Sequence, residues 1–173
     1  MLARRSWIVM SLVVVVVLVL DQLSKIAILE RFSPGESLQV IPGFFSLTLT
    51  FNPGVAFGML ADAPDGLRHL LLSFVIVLAL LIVLYMLFKD YRENMTGQVA
   101  LALITGGAIG NIIDRLRFGQ VVDFLLVYYR QYQWPAFNVA DSAICVGVTI
   151  LVILSLFVRN TAQPSGTDSP AGT

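Results

Sequence analysis

The sequence predicts an integral membrane protein of the all-α class, built on four transmembrane helices. Three observations lead there. The 173-residue chain is 57% hydrophobic and only 13% charged, against about 25% charged residues in an ordinary soluble domain. The apolar residues fall in blocks. Four of those blocks approach the roughly 20 residues that a helix needs to cross a hydrocarbon core.

The first block covers about residues 7–29. Its β-branched run at 13–17 would favour a strand in water. In lipid a helix satisfies its own backbone, so span length overrides propensity. Arg4 and Arg5 ahead of it imitate a secretory leader. No small-residue cleavage site follows, and Asp21-Gln22-Leu23-Ser24-Lys25 stands there instead, so the block reads as an uncleaved span. Further spans are expected at about 69–88, 95–115 and 139–158, making 1–159 one four-span unit. Between the first two spans, in the segment 31–68, Leu38 to Phe51 alternates (Leu47, Leu49 and Phe51 against Ser46, Thr48 and Thr50), the period of short strands. Pro34-Gly35, Pro42-Gly43, Pro53-Gly54 and Asp65-Gly66 punctuate it as turns. The segment 117–137 is amphipathic and aromatic, with Phe124, Tyr128, Tyr129, Tyr132, Trp134 and Phe137, residues that favour a membrane–water interface. The tail 160–173 is expected to be disordered.

Four spans place both termini on one side, and Arg4 with Arg5 suggest the cytoplasm. Lys89, Arg92 and Arg159 bring the inner basic residues to five, against six outside (Lys25, Arg31, Arg68, Arg115, Arg117, Arg130). The raw count does not settle orientation; the density does favour it, because the inner segments are shorter. The net charge of zero gives no reason to expect nucleic acid. Cys145 allows no disulfide or cysteine-based metal site and reads as a small core residue. His69 lies near no motif-like serine and reads as an interface residue. No metal or cofactor is expected.

Ionisable groups at membrane depth are costly and usually functional. Following the span order, Asp21 and Lys25 fall at the outer end of the first span, and Asn111, Asp114 and Arg115 at that of the third. Asp123 follows shortly, Asn138 and Asp141 open the fourth span, and Asn52 lies in the first outer segment. All converge on one boundary. Each has a plainer use. Asp21 and Lys25, spaced i,i+4, suit a structural ion pair. Asn138 and Asp141 have the spacing of an N-cap and its third residue. Asp114 and Arg115 could neutralise each other. Gly106, Gly107 and Gly110 suit close helix packing, and Asn111 and Arg115 point the same way from their helix. Asp123, between Val122 and Phe124, has no capping role to explain it. Two nearby carboxylates cannot both ionise easily, so one holds a proton. The ionised member can then take a proton from water while the other donates to a carbonyl, with no metal or covalent intermediate required.

At these residues the chain resembles the bacterial lipoprotein signal peptidase (signal peptidase II) family. The family's blocks occur in order: Asp21-Gln22-Leu23-Ser24-Lys25; Asn52-Pro53-Gly54-Val55-Ala56-Phe57; Gly106-Gly107-Ala108-Ile109-Gly110-Asn111 through Asp114-Arg115; Val122-Asp123-Phe124; and Pro135-Ala136-Phe137-Asn138-Val139-Ala140-Asp141. The resemblance implies that Asp123 and Asp141 are the catalytic aspartates. It implies that Asn52, Gly54, Asn111, Arg115, Asn138 and Ala140 bind substrate, and that Asp21, Lys25 and Asp114 support the site. It implies a small extracytoplasmic sheet and a short interfacial helix. It further implies a monomeric inner-membrane aspartic endopeptidase that cleaves diacylglyceryl-prolipoproteins at the periplasmic face, touches membrane lipid and is blocked by globomycin-type inhibitors. One departure is that Tyr128-Tyr129 stands where many relatives carry a His-Trp pair, which puts contacts of the cover over the site in doubt.

Two other classes compete. A small proton-coupled carrier would also use membrane carboxylates, but needs them near the midplane to serve both sides. A non-catalytic assembly protein would use the aspartates as caps and pairs, and leaves Asp123 unexplained.

Overall fold

The computed structural model describes residues 4–54, 78–79, 81–87 and 89–161. Among the described residues, three helices are long and apolar enough to cross a membrane: α1 (Arg4–Leu29), α2 (Met95–Phe118) and α3 (Val139–Thr161). In α1 the buried residues are Ser6, Met10, Val17, Asp21, Lys25 and Ile28, a single stripe at helical spacing. Leu12, Val16, Leu20 and Leu23 lie exposed around it, the pattern of a helix whose other faces meet lipid. Of the expected second span, residues 78–79 and 81–87 are helical; the rest of it, His69 included, lies outside the described residues, as do the Asp65-Gly66 turn and the tail from 162. Cys145, expected in the core, is exposed on α3. In a bilayer both faces of a span are apolar, so composition does not say which side a small residue takes.

α2 is the central helix. Asn94 caps its start, its side chain accepting from Gly97 N at 2.9 Å. Gly119 ends it in the left-handed conformation (φ 70°) and donates to the Arg115 carbonyl. Glycines let its neighbours approach, as the small-residue spacing predicts. A Cβ on Gly106 would lie 3.0 Å from Val17 of α1, and one on Gly107 would lie 2.4 Å from the Ala140 carbonyl of α3. Met10, Val83, Leu87, Tyr91, Leu101 and Leu151 fill the core toward the opposite end of the bundle from the sheet.

The small sheet that the resemblance implies is present, and the all-α label leaves it out. A four-stranded antiparallel sheet, in the order β1-β2-β3-β4, sits at one end of the helices: β1 (Ser37–Ile41), β2 (Phe45–Asn52), β3 (Val121–Tyr129) and β4 (Tyr132–Gln133). β1 and β2 are the alternating run read from sequence, with Gly35, Gly43 and Gly54 at positive φ in the turns. β3 and β4 occupy the segment expected only as an aromatic loop. The sequence of β3, VVDFLLVYY, is rich in β-branched and aromatic residues and supplies the partner that β2 needs. The described residues of the two outer segments contain no short interfacial helix.

Val122, Phe124 and Leu49 pack with Ile28 under the sheet, with Phe32 and Val139 at the margin. Phe51 meets Phe118 edge-on at 6.3 Å between ring centres. These contacts fix β2 and β3 to the ends of α1 and α2. Phe137 exchanges hydrogen bonds with Leu125 (2.8 and 3.0 Å) and so ties the chain entering α3 to β3.

Candidate active site

The site begins with a buried ion cluster. Lys25 Nζ lies 2.8 Å from Asp21 Oδ2, one turn away on α1, and 2.8 Å from Asp114 Oδ2 on α2. None of the three is more than 2% exposed. Residues i and i+1 of a helix do not face each other, so Asp114 pairs with Lys25 and not with Arg115, as sequence adjacency had suggested. Two carboxylates against one ammonium leave a negative charge, and further donors offset it. Asp21 Oδ1 accepts from the Ala140 N–H at 2.9 Å, in the first turn of α3, where the helix dipole also favours an anion. Asp114 Oδ2 accepts from Val122 N at 3.1 Å. Gln22 Nε2 bridges Asp21 Oδ2 and Asp114 Oδ1, at 3.1 Å each. The cluster therefore holds α1, α2, β3 and α3 in one arrangement.

An asparagine pair connects this cluster to two more carboxylates. Lys25 Nζ donates to Asn111 Oδ1 (3.1 Å), which leaves Asn111 Nδ2 to donate to Asp141 Oδ1 (2.7 Å). Asn138 Nδ2 donates to Asp123 Oδ1 at 2.7 Å and reaches Asn111 Oδ1 at 3.3 Å. Asn52 Nδ2, from the end of β2, donates to Asp123 Oδ2 at 2.9 Å, and its Oδ1 accepts from Gly54 N at 2.8 Å. Asn138 also caps α3. Its Oδ1 accepts from Asp141 N at 2.9 Å, and its own N–H donates to Asp141 Oδ2 at 3.3 Å. The capping geometry read from sequence is present, and Asp141 reaches Asn111 as well.

Asp123 is 2% exposed. Burial raises its pKa from 3.8 to about 6; the Asp141 charge adds to the rise, and the bonds from Asn52 and Asn138 oppose it. Asp141 is half-buried. Arg115 Nη1 donates to the Asn111 carbonyl at 3.3 Å, while its buried Nε has no hydrogen bond among the described residues. Ala140 is fully buried. Among the described residues no three or more His, Cys, Asp or Glu side chains are grouped to hold a metal ion.

The structure thus joins Asp21, Lys25, Asn52, Gly54, Asn111, Asp114, Arg115, Asp123, Asn138, Ala140 and Asp141 through one connected network. Sequence reasoning gave no role to Gln22 or to the Val122 backbone. Gln22 could have been flagged as an uncharged polar residue beside a membrane aspartate; a backbone donor leaves no sequence signal.

Apolar helices carrying a small sheet, with these polar groups gathered at one end, define an integral membrane protein. The family described as signal peptidase (SPase) II matches residues 13–157. The lipoprotein signal peptidase of Syntrophus aciditrophicus (strain SB) is 47% identical over 137 residues, covering 79% of this chain and 85% of the relative. That of Neisseria meningitidis (strain MC58) is 45% identical over 148 residues, covering 84% and 87%. A solved bacterial membrane enzyme structure, obtained by the in meso method at 2.3 Å resolution, superposes with a TM-score of 0.79 at 32% identity, covering 92% of this chain and 94% of that one. A second, at 1.9 Å resolution, gives 0.76 at 35% identity, covering 85% and 92%. The chain belongs to the signal peptidase II family.

Proposed function

We propose that this chain is an aspartic endopeptidase in which Asp123 and Asp141 form the catalytic pair. Its function is the removal of signal peptides from prolipoproteins. One observation carries the aspartic mechanism: the two carboxylates come from different elements, β3 and the first turn of α3, yet are held by one asparagine pair, Asn111 and Asn138. In this mechanism one member of the pair starts with a proton and the other without. The ionised member takes a proton from water, whose oxygen adds to the scissile carbonyl carbon, while the protonated member donates to the carbonyl oxygen. The resulting diol collapses as the C–N bond breaks, and a proton passes to the leaving amine. In this reading the substrate-binding residues are Asn52, Gly54, Asn111, Arg115, Asn138 and Ala140, and Asp21, Lys25 and Asp114 support them.

The substrate class in this reading is the diacylglyceryl-modified prolipoprotein, cut before the lipidated cysteine. The enzyme works as a monomer in the inner membrane, with four spans in 1–159, both termini cytoplasmic, the sheet at the periplasmic face, and lipid and globomycin-type inhibitors at the same groove. The proton-coupled carrier finds no support, because the polar network lies at one end of the helices. Asn keeps the shape of Asp but cannot shuttle a proton. Asp123→Asn and Asp141→Asn should each fold and lose at least about a hundredfold in cleavage. Near-normal turnover by either variant in detergent would remove the assignment.

A further inference from the structure

The pairing of β2 with β3 is irregular where it reaches Asp123. Leu47 pairs with Leu125 and Thr50 with Asp123, so β2 spends three residues where β3 spends two. This is a β-bulge, a device that re-aims side chains and is common beside active sites. Its effect is specific. Without it Leu49 would stand opposite Asp123. With it Leu49 turns into the core, 2% exposed beside Ile28, Val122 and Phe124, and Thr50 takes the position across from the carboxylate. Directly opposed residues share a sheet face, with Cβ atoms about 4.5–5.5 Å apart. Asn52, two residues on and on the same face, bonds Asp123 at 2.9 Å, as that register requires.

Thr50 differs from the residues around it. Asp123 and Asn138 are buried and fully engaged, whereas Thr50 is exposed. Among the described residues its hydroxyl makes no hydrogen bond, in contrast to Thr48, whose Oγ1 donates to the Glu36 carbonyl at 2.8 Å. Among the described residues, this hydroxyl beside the carboxylate, placed there by an extra residue in the strand, has no structural work to do. We infer that Thr50 is a substrate-contacting residue, its hydroxyl bonding the main chain of the peptide next to the scissile bond. The inference rests on Asp123 being catalytic. It assigns to Thr50 the holding of the extended substrate against β2, while the proton transfers belong to the aspartates.

The test uses the full chain in detergent with a lipidated prolipoprotein peptide, comparing Thr50→Val, Thr50→Ser and Asp123→Asn. Valine keeps the branched shape and removes the hydroxyl; serine keeps the hydroxyl. Loss of one neutral hydrogen bond made before and during the reaction raises KM with little change in kcat, so Thr50→Val should lose roughly threefold to tenfold in kcat/KM through KM. Thr50→Ser should stay within about twofold of the parent, and both should unfold at the parent's temperature because the site is exposed. Equal kcat/KM for Thr50→Val and the parent, equal losses in the valine and serine variants, or a loss confined to kcat would each overturn the inference while leaving the dyad standing. An active Asp123→Asn would overturn the dyad, and this inference with it.

Discussion

At the scale of the residue, Asp123 is a carboxylate under opposing demands. Asn52 and Asn138 hold its charged form, and burial with the Asp141 charge pushes its pKa to about 6. The unfolded chain gives up this proton near 3.8, so between those values the native state binds more protons than the unfolded one. The group's contribution to stability is therefore present at low pH and is lost as pH rises through that window. Chemical unfolding in detergent across pH 4–7 should show this fall in the parent and a flatter profile in Asp123→Asn. A variant as steep as the parent would assign the slope elsewhere. In sequence, the cost of an aspartate between Val122 and Phe124 was legible, and so was the cap spacing of Asn138 and Asp141. The opposition of Thr50 and Asp123 was not. It depends on an inserted residue in β2, and strict alternation would place Leu49 there.

At the scale of the element, the approach of α2 to its neighbours and the geometry of the site are one problem. A Cβ on Gly110 would lie 2.5 Å from Asp21 Oδ2, and one on Gly107 would lie 2.4 Å from the Ala140 carbonyl. Both intrusions push on the bond between Asp21 and the first turn of α3. Gly110→Ala and Gly107→Ala should each cost about 1–3 kcal/mol in stability, the usual range for overpacking, and lose most activity. For Gly106→Ala the nearest atoms, of Val17 and the Val14 carbonyl, lie at 3.0–3.2 Å, and it should be milder on both counts. Comparable thermal unfolding and turnover for all three would refute this. The helices were legible because length and apolarity alone define a span. β1 and β2 were legible from alternation and from their Pro-Gly turns. β3 was hidden because, apart from Asp123, both of its faces carry apolar residues, Val122, Phe124 and Leu126 against Leu125 and Val127, and an uninterrupted apolar run has no period of two.

At the scale of the whole molecule, large apolar side chains stand exposed along the helices, among them Leu12, Leu20 and Leu23 on α1 and Val148, Val152 and Leu156 on α3, while the carboxylates sit at one end. A substrate anchored by acyl chains, as proposed above, would arrive with its peptide at that depth. Each buried CH₂ contributes about 0.8 kcal/mol, and such remote binding can be used to align the scissile bond. A prolipoprotein peptide whose cysteine lacks diacylglyceryl should therefore be cleaved at least about tenfold more slowly, on the scale of a few buried methylenes. Equal rates for the two peptides would show that lipid is not read. The ion cluster has a further consequence, in time. Asp21 receives the Ala140 N–H from a residue 119 positions later in the chain. At about 5–20 residues per second of synthesis, roughly 6–24 seconds separate the two. During that interval α1 has a carboxylate in its apolar stretch and no α3 to cap it. Lys25, one turn away on the same helix, is available from the outset, so this pair can form before any later segment is made.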